Sequence, residues 1–384
     1  MHNLDKDEWY DEIQQAIDVA EDNNTLLVYP GTYEEFVTID KPLILLGPNA
    51  GIPGCNNNRG DEAVIKPPAD ADRVEPNVTR FLVAVSAEGV VIDGFMMTDE
   101  EDENGKFGAT VGINSKEGDF QCLNNYVKSM PFYGINVARP AKATTDWYDK
   151  TVADDGAIEE VLIQGNCIEE TALVDAVPTW GYGISLSGTI ADVVENKIKD
   201  SRVGIHIQPY NQPDVEITKD GLVKDNVVET YRIGVFHHTG GVSGHYAVSA
   251  NWLFEGNTFT LCEGPLNVTT GSYWGVITWT SKFYHDKSIE FVNNTFDTTN
   301  KDDFTFNWDE IIVFLYRNDI GTHTANDINF IYIDNTFTGM VTIMNRSGLE
   351  IDLTEVGDPN NNFPDGDTEI VTIDDTDDVL RYVE

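Results

Sequence analysis

The sequence predicts an all-β chain wound as a single-stranded right-handed parallel β-helix of about nine or ten coils, with an amphipathic helix capping its N-terminal end. Three observations predict it. Short apolar runs meet at corners instead of hairpin turns, an asparagine recurs at a near-constant spacing, and a glycine followed by alternating apolar and polar residues recurs between the asparagines. The capping helix is expected within 1–25, the coils over 26–347, and a last strand with an acidic tail over 348–384.

The corners are clearest in LLVYPGTYEEFVTIDKPLILLGPNAG, Leu26 to Gly51. A two-residue hairpin favours Asn-Gly or Asp-Gly with φ > 0 at both turn positions. The joints here are Pro30-Gly31 and Asp40-Lys41-Pro42, which bend a chain without reversing it. Three short strands joined by corners make one rung, and each strand then pairs with its equivalent one turn later.

The rung repeats. Gly94, Asn125, Asn166, Asn196, Asn226, Asn257, Asn294 and Asn335 each precede an x-apolar step, with intervals of 31, 41, 30, 30, 31, 37 and 41 residues. A floor of thirty with occasional excess describes a coil with variable loops on one side. Asparagines at equivalent corners can stack, each amide bonding the next and satisfying backbone groups a tight bend leaves over. The second recurring element is a glycine corner, in GINS at Gly112, GINV at Gly134, GISL at Gly183, GIHI at Gly204, GVFH at Gly234 and GVIT at Gly275. Ahead of the rungs, Trp9, Ile13, Ala16, Ile17 and Ala20 fall at helical spacing, so a helix is expected to cover the open end of the coil.

Sixty-six Asp and Glu against 24 Lys and Arg give a formal charge of -42, spread along the chain. That field repels nucleic acid. It suits a surface adapted to high salt, with Ca²⁺ binding as a second reading. The loop DEEDEN, Asp99 to Asn104, offers clustered oxygens but no defined ligand spacing, so no cofactor and no metal site is assigned. Cys55, Cys122, Cys167 and Cys262 lie far apart without a CxxC, which reads as four small buried thiols. No apolar run reaches membrane-spanning length and the first ten residues lack a secretory pattern, so no membrane insertion is expected. The setting expected is extracellular, cell-surface or virion.

IQQAIDVAEDNNTLLVYPGTYEEFVTIDKPLILLG, together with rungs that read Gly-Ile-x-Ile/Leu and then Asn-x-Ile/Phe, resembles the right-handed parallel β-helix superfamily, pectin-lyase-like, and especially its carbohydrate-binding and NosD-like repeat branch. The resemblance spans roughly residues 10 to 345. It implies a shape and a habit of handling polysaccharide. The extra signatures of the family's enzymes, such as the methylesterase GRPW strand or the pectate-lyase RxPxxR segment, are absent, and the pairs Asp154-Asp155 and Asp302-Asp303 lack their companions.

Counting from each glycine, with the next apolar residue inward, the positions two before, two after and four after face solvent. Three successive rungs then present Arg202, His206 and Gln208, next Arg232, Phe236 and His238, and last Tyr273, Ile277 and Trp279, with Tyr210 close in sequence. Aromatic faces pack on sugar CH groups and guanidinium forks hold carboxylate or sulfate, which makes this stack a candidate groove for an acidic glycan. The alternative is that Arg202 and Arg232 neutralise Asp200 and Glu229. For lyase chemistry the weak catalytic candidates are Arg232, His206, His238 and Tyr210, as cation and base.

Three functions follow: a glycan-facing binding or structural protein such as an adhesin or spike, a polysaccharide lyase or glycoside hydrolase, or a homotrimer or filament subunit. The partner expected is a polysaccharide or cell-surface glycan.

Overall fold

A computed structural model describes residues 1–76, 78–138, 160–171, 181–208, 219–238, 251–262, 275–280, 287–297, 311–316, 328–338, 341–346 and 368–372. Tyr210 and Tyr273 lie outside them.

The opening segment behaves as its corners predict. Asn24–Leu27 pairs in parallel with Leu43–Leu46, while Gly31–Glu34 pairs with Ala63–Lys66 and Val37–Ile39 with Val83–Val85 of the strand Phe81–Val85. No strand pairs with its neighbour in sequence at these corners. Repeated along the chain, the pattern stacks ten parallel strands on the first face among the described residues, from Asn24–Leu27 through Val90–Asp93, Val161–Gln164 and Trp252–Glu255 to Ile328–Ile333. It is a parallel β-helix.

One reversal was not expected. His2–Asn3 and Glu8–Trp9 form an antiparallel hairpin at the N-terminal edge of that face, so Trp9 sits on an edge strand and not on the helix. The helix is Ile13–Val19, which buries Ile13, Ala16 and Ile17 against the first coil. Its ends are satisfied from that coil. Glu35 accepts from the amides of Ile13 (2.9 Å) and Gln14 (2.8 Å), and Lys41 Nζ donates to the carbonyls of Ile17 (3.1 Å), Asp18 (3.2 Å) and Ala20 (3.3 Å). Helix and hairpin cap the coil together.

Inside, side chains of equal position stack. The register Val90, Phe120, Val161, Ala191 and the register Ile92, Cys122, Ile163, Val193, Val223, Phe254 are buried throughout. Toward the C-terminal end aliphatic layers give way to rings, Phe254 on Phe291 at 4.9 Å and Phe259 on Phe296 at 5.7 Å. Gly221 lies under Trp252, whose ring would come within 2.3 Å of an added Cβ, so a large residue in one rung is accommodated by the smallest in the rung before.

The asparagine ladder runs from Asn125 to Asn335. Each member donates its backbone N–H to the side-chain oxygen of the next, at 2.8 to 2.9 Å through Asn166, Asn196, Asn226, Asn257, Asn294 and Asn335. Each Nδ2 also reaches a carbonyl of the preceding rung, as Asn196 does to Ile163 at 2.8 Å. The rung of Gly94 departs from the expected pattern. There the ladder position is Phe95, whose N–H donates to Asn125 Oδ1 at 3.0 Å. Gly94 belongs to the column just before the ladder, with Asn124, Gly165, Glu195, Asp225, Gly256, Asn293 and Asp334, all at positive φ between 53° and 83°. The corner is thus a left-handed residue followed by an asparagine.

The cysteine expectation fails for two of four. Cys55 and Cys167 form a disulfide, with Cα atoms 4.9 Å apart across 112 residues, while Cys122 is a buried thiol and Cys262 is half-buried. The segment 47–62 does not stay beside its own rung. It runs across the corner column of later rungs, where Gly54 N donates to Gly165 O at 2.7 Å. Arg59 pairs with Glu62 and donates to the carbonyls of Asn124 (2.7 Å) and Phe95 (3.3 Å), and the disulfide fixes the far end of this strap. Spacing along a sequence does not reveal such a crossing.

Candidate functional site

The glycine corners place the site. In Tyr182–Ser187, Gly183 and Ile184 both face the core, since an added Cβ on Gly183 would meet Ile198 at 2.7 Å and Ile184 belongs to the main core. Tyr182 and Ser185 therefore lie on the outer side of the sheet. The parallel register carries this outward in two columns, Tyr133, Tyr182, Val203, Ile233 and Asn114, Asn136, Ser185, His206, Phe236. Tyr182, Val203, Ile233 and Phe236, with Tyr133 against them, make an apolar cluster separate from the main core.

The rings in these columns stack across four rungs. Tyr133 lies on Tyr182 (5.4 Å, 13°), Tyr182 on His206 (4.1 Å, 7°), and His206 is tilted against Phe236 (5.6 Å, 36°). Polar side chains run beside them. Asn136 Nδ2 donates to Asn114 Oδ1 at 2.7 Å, and Ser185 Oγ lies 3.2 Å from His206 Nδ1.

Arg202 and Arg232 precede Val203 and Ile233, which face one another in adjacent rungs, so the two guanidinium groups come from matched positions. Burial pushes Arg232 down to about 9, the Arg202 charge adds to the fall, and Tyr182 opposes it. Burial likewise lowers Arg202, against Tyr182. Tyr182 is held well above the ordinary phenol range by burial and then by Tyr133, with Arg232 and Arg202 pulling the other way. The phenol keeps its proton and remains a donor.

Alternation predicted the side of the sheet correctly for His206 and Phe236 but not their contact with water. Arg202 and His206 are each 4% exposed, Arg232 1% and Phe236 3%. A period of two tells which face a side chain takes, not whether further chain lies over that face. Gln208 is half-buried at the end of its strand, with Ser187 Oγ donating to its Oε1 at 3.5 Å. His238 lies across from Thr280. Ile277 and Trp279 were misplaced by one residue. Gly275 pairs with Ile233, not Gly234, so in backbone register Ile277 stands opposite Val235 and Trp279 opposite His237. His237 is itself in register with Ile207 of the main core and is fully buried. A slip of one residue exchanges the two faces of a strand.

Tyr133 and Tyr182 escaped the sequence reading, although the repeated Tyr-Gly-Ile at both positions was a signal. The acidic loop is organised by its own contacts. Asp99 accepts from Arg73 (3.2 Å) and the Ala109 amide (2.8 Å), and Asp102 accepts from the amides of Asn104 (2.8 Å) and Lys106 (3.0 Å). Among the described residues one three-residue set could converge on a metal, Cys55, Cys167 and Glu169, and its two sulfurs are bonded to each other.

No protein-family model matches the chain, and no curated protein matches it. Among solved structures it is similar to pectate lyase Pel9A, at 10% identity and a TM-score of 0.42 over 86% of this chain and 71% of that one. It is also similar to the Dettilon tailspike protein, at 15% identity and a TM-score of 0.40 over 89% of this chain and 60% of that one. A third is the Streptococcus pneumoniae surface protein and adhesin PfbA, at 12% identity and a TM-score of 0.36 over 94% and 92%. Among the described residues no helix is long and apolar enough to cross a membrane.

Proposed function

We propose that this β-helix protein binds an acidic glycan on the outer face of the rungs that carry Arg202, Arg232 and the Tyr133–Tyr182–His206–Phe236 ring stack, with the buried arginines charging the floor beneath it, in an extracellular, cell-surface or virion setting. The observation that supports the reading most is that two arginines, Arg202 and Arg232, take matched positions in adjacent rungs, near enough for the Arg202 charge to add to the lowering of Arg232. An anionic glycan laid over these rungs meets positive charge on a chain otherwise dominated by carboxylates, and arginine favours carboxylate and sulfate. The ring stack runs along the coil axis and ends at Tyr133, the half-buried ring on which a sugar CH face could lie. The Cys55–Cys167 disulfide suits an oxidising compartment.

A glycan array read at high and low salt, followed by ultraviolet absorbance for unsaturated uronate, tests this reading. Acidic-glycan binding without product is expected. Binding only to neutral glycans, or none, overturns it.

A further inference from the structure

We propose that the N-terminal cap carries a docking site for a basic polypeptide segment, in which a lysine or arginine side chain seats on Trp9 and Tyr29. The site shares no residue with the glycan face.

Six large hydrophobic side chains are conspicuously exposed among the described residues, and four of them, Leu4, Trp9, Val19 and Tyr29, belong to the cap and the turn beside it. Trp9 stacks on His2 (4.3 Å, 5°) and on Tyr29 (5.5 Å, 22°), yet is still 63% exposed, and Tyr29 is 41% exposed. The rings are ordered by their neighbours, so little rotamer freedom is left to lose on binding. Trp9 sits on Glu8–Trp9, the outermost strand of the first face, with no described strand beyond it.

Charge selects the occupant. The first twelve residues hold Asp5, Asp7, Glu8, Asp11 and Glu12 against Lys6 alone. A second copy would bring the same acidic rim against itself, and an acidic glycan is repelled for the same reason. An indole face bordered by carboxylates attracts a cation through the ring quadrupole and through direct pairing, and the tryptophan face is the strongest of the aromatic acceptors. The cap already contains a small version of this arrangement, with His2 lying on Trp9 while its Nε2 contacts Asp7 Oδ1 at 2.9 Å.

Titration of the full chain with a hexalysine peptide, alongside a neutral oligosaccharide, by calorimetry at low and high salt tests the proposal. The peptide is expected to bind the unaltered chain, and Trp9→Ala to weaken it roughly two- to thirtyfold, with part of the difference persisting at high salt. Tyr29→Leu should weaken it in the same direction. Because Trp9 is mostly exposed, Trp9→Ala leaves the fold intact. Equal binding by Trp9→Ala, which would reduce the effect to general acidity, overturns the site, as does preference for the neutral oligosaccharide or absence of peptide binding.

Discussion

Asn196 Oδ1 accepts two hydrogen bonds from Asn166, one from its backbone N and one from its Nδ2, each at 2.9 Å. Asn196 repeats the arrangement on Asn226 and adds a bond from Nδ2 to Ile163 O at 2.8 Å. The ladder is continuous and buried, so each member supports two neighbours. Asn196→Ala removes the acceptor of both Asn166 bonds and the donor to Ile163 O, while Asn226 Oδ1 keeps only the backbone N–H of residue 196. A loss of roughly 3 kcal/mol is expected, seen as a lower urea midpoint with an unchanged slope. A midpoint within error of the unaltered chain would remove the ladder from the stabilising interactions.

The corner before the ladder predicts the opposite sign at the next residue. Glu195 holds φ at 55°, a conformation its column elsewhere assigns to glycine, asparagine and aspartate. Glu195→Gly removes a steric cost of about 1 kcal/mol and forfeits only the exposed bond from Gln164 at 3.0 Å. Thermal unfolding should move upward. A downward shift would mean that the Gln164 contact outweighs backbone strain.

Reduction of Cys55–Cys167 opens a crosslink that spans 112 residues. Loop-closure entropy and engineered series put its contribution at roughly 2–5 kcal/mol. Cys55→Ser should lower stability by that amount, and hydrogen exchange should quicken in the strap before it does in the coils. Uniform exchange across strap and coils would show that the crosslink stabilises the whole and not the strap.

Arg232 gives stability and binding opposite pH responses. Its folded value, about 9, lies below that of the unfolded chain, so between the two the unfolded chain binds more protons and stability rises with pH. Tyr182, whose folded value is raised, works against this once pH passes the ordinary phenol value of about 10. A small rise in stability is therefore expected between about pH 9 and 10, absent in Arg232→Met. Acidic-glycan affinity should fall over the same interval as the guanidinium loses charge. Affinity that stays flat through pH 9 would separate Arg232 from the ligand.

The sequence exposes the coil because the coil is periodic. Asparagines at Asn166, Asn196 and Asn226 and glycines at Gly183 and Gly204 repeat the same local demand, and a repeated demand is visible without coordinates. Relationships made once are not. The strap that brings Cys55 to Cys167 joins rungs through a loop, and nothing in its spacing reports where the loop lies. The outer face shows both limits together. Alternation placed His206 and Phe236 on the side away from the core, but their burial depends on what overlies the sheet. Trp279 was assigned from Gly275, and the strand pairing sets Gly275 one residue earlier, opposite Ile233. Register is a property of the pair and not of either strand alone.

The most direct test of the glycan account is calorimetric titration with a uronate oligomer and its methyl-esterified counterpart, on the unaltered chain and on Arg202→Lys and Arg232→Lys. The account predicts that the charged oligomer binds at least about tenfold tighter than the ester, and that each lysine variant, keeping the charge but losing the fork, gives up much of that preference. Equal affinity for charged and esterified oligomers, or full preference retained in both variants, contradicts it.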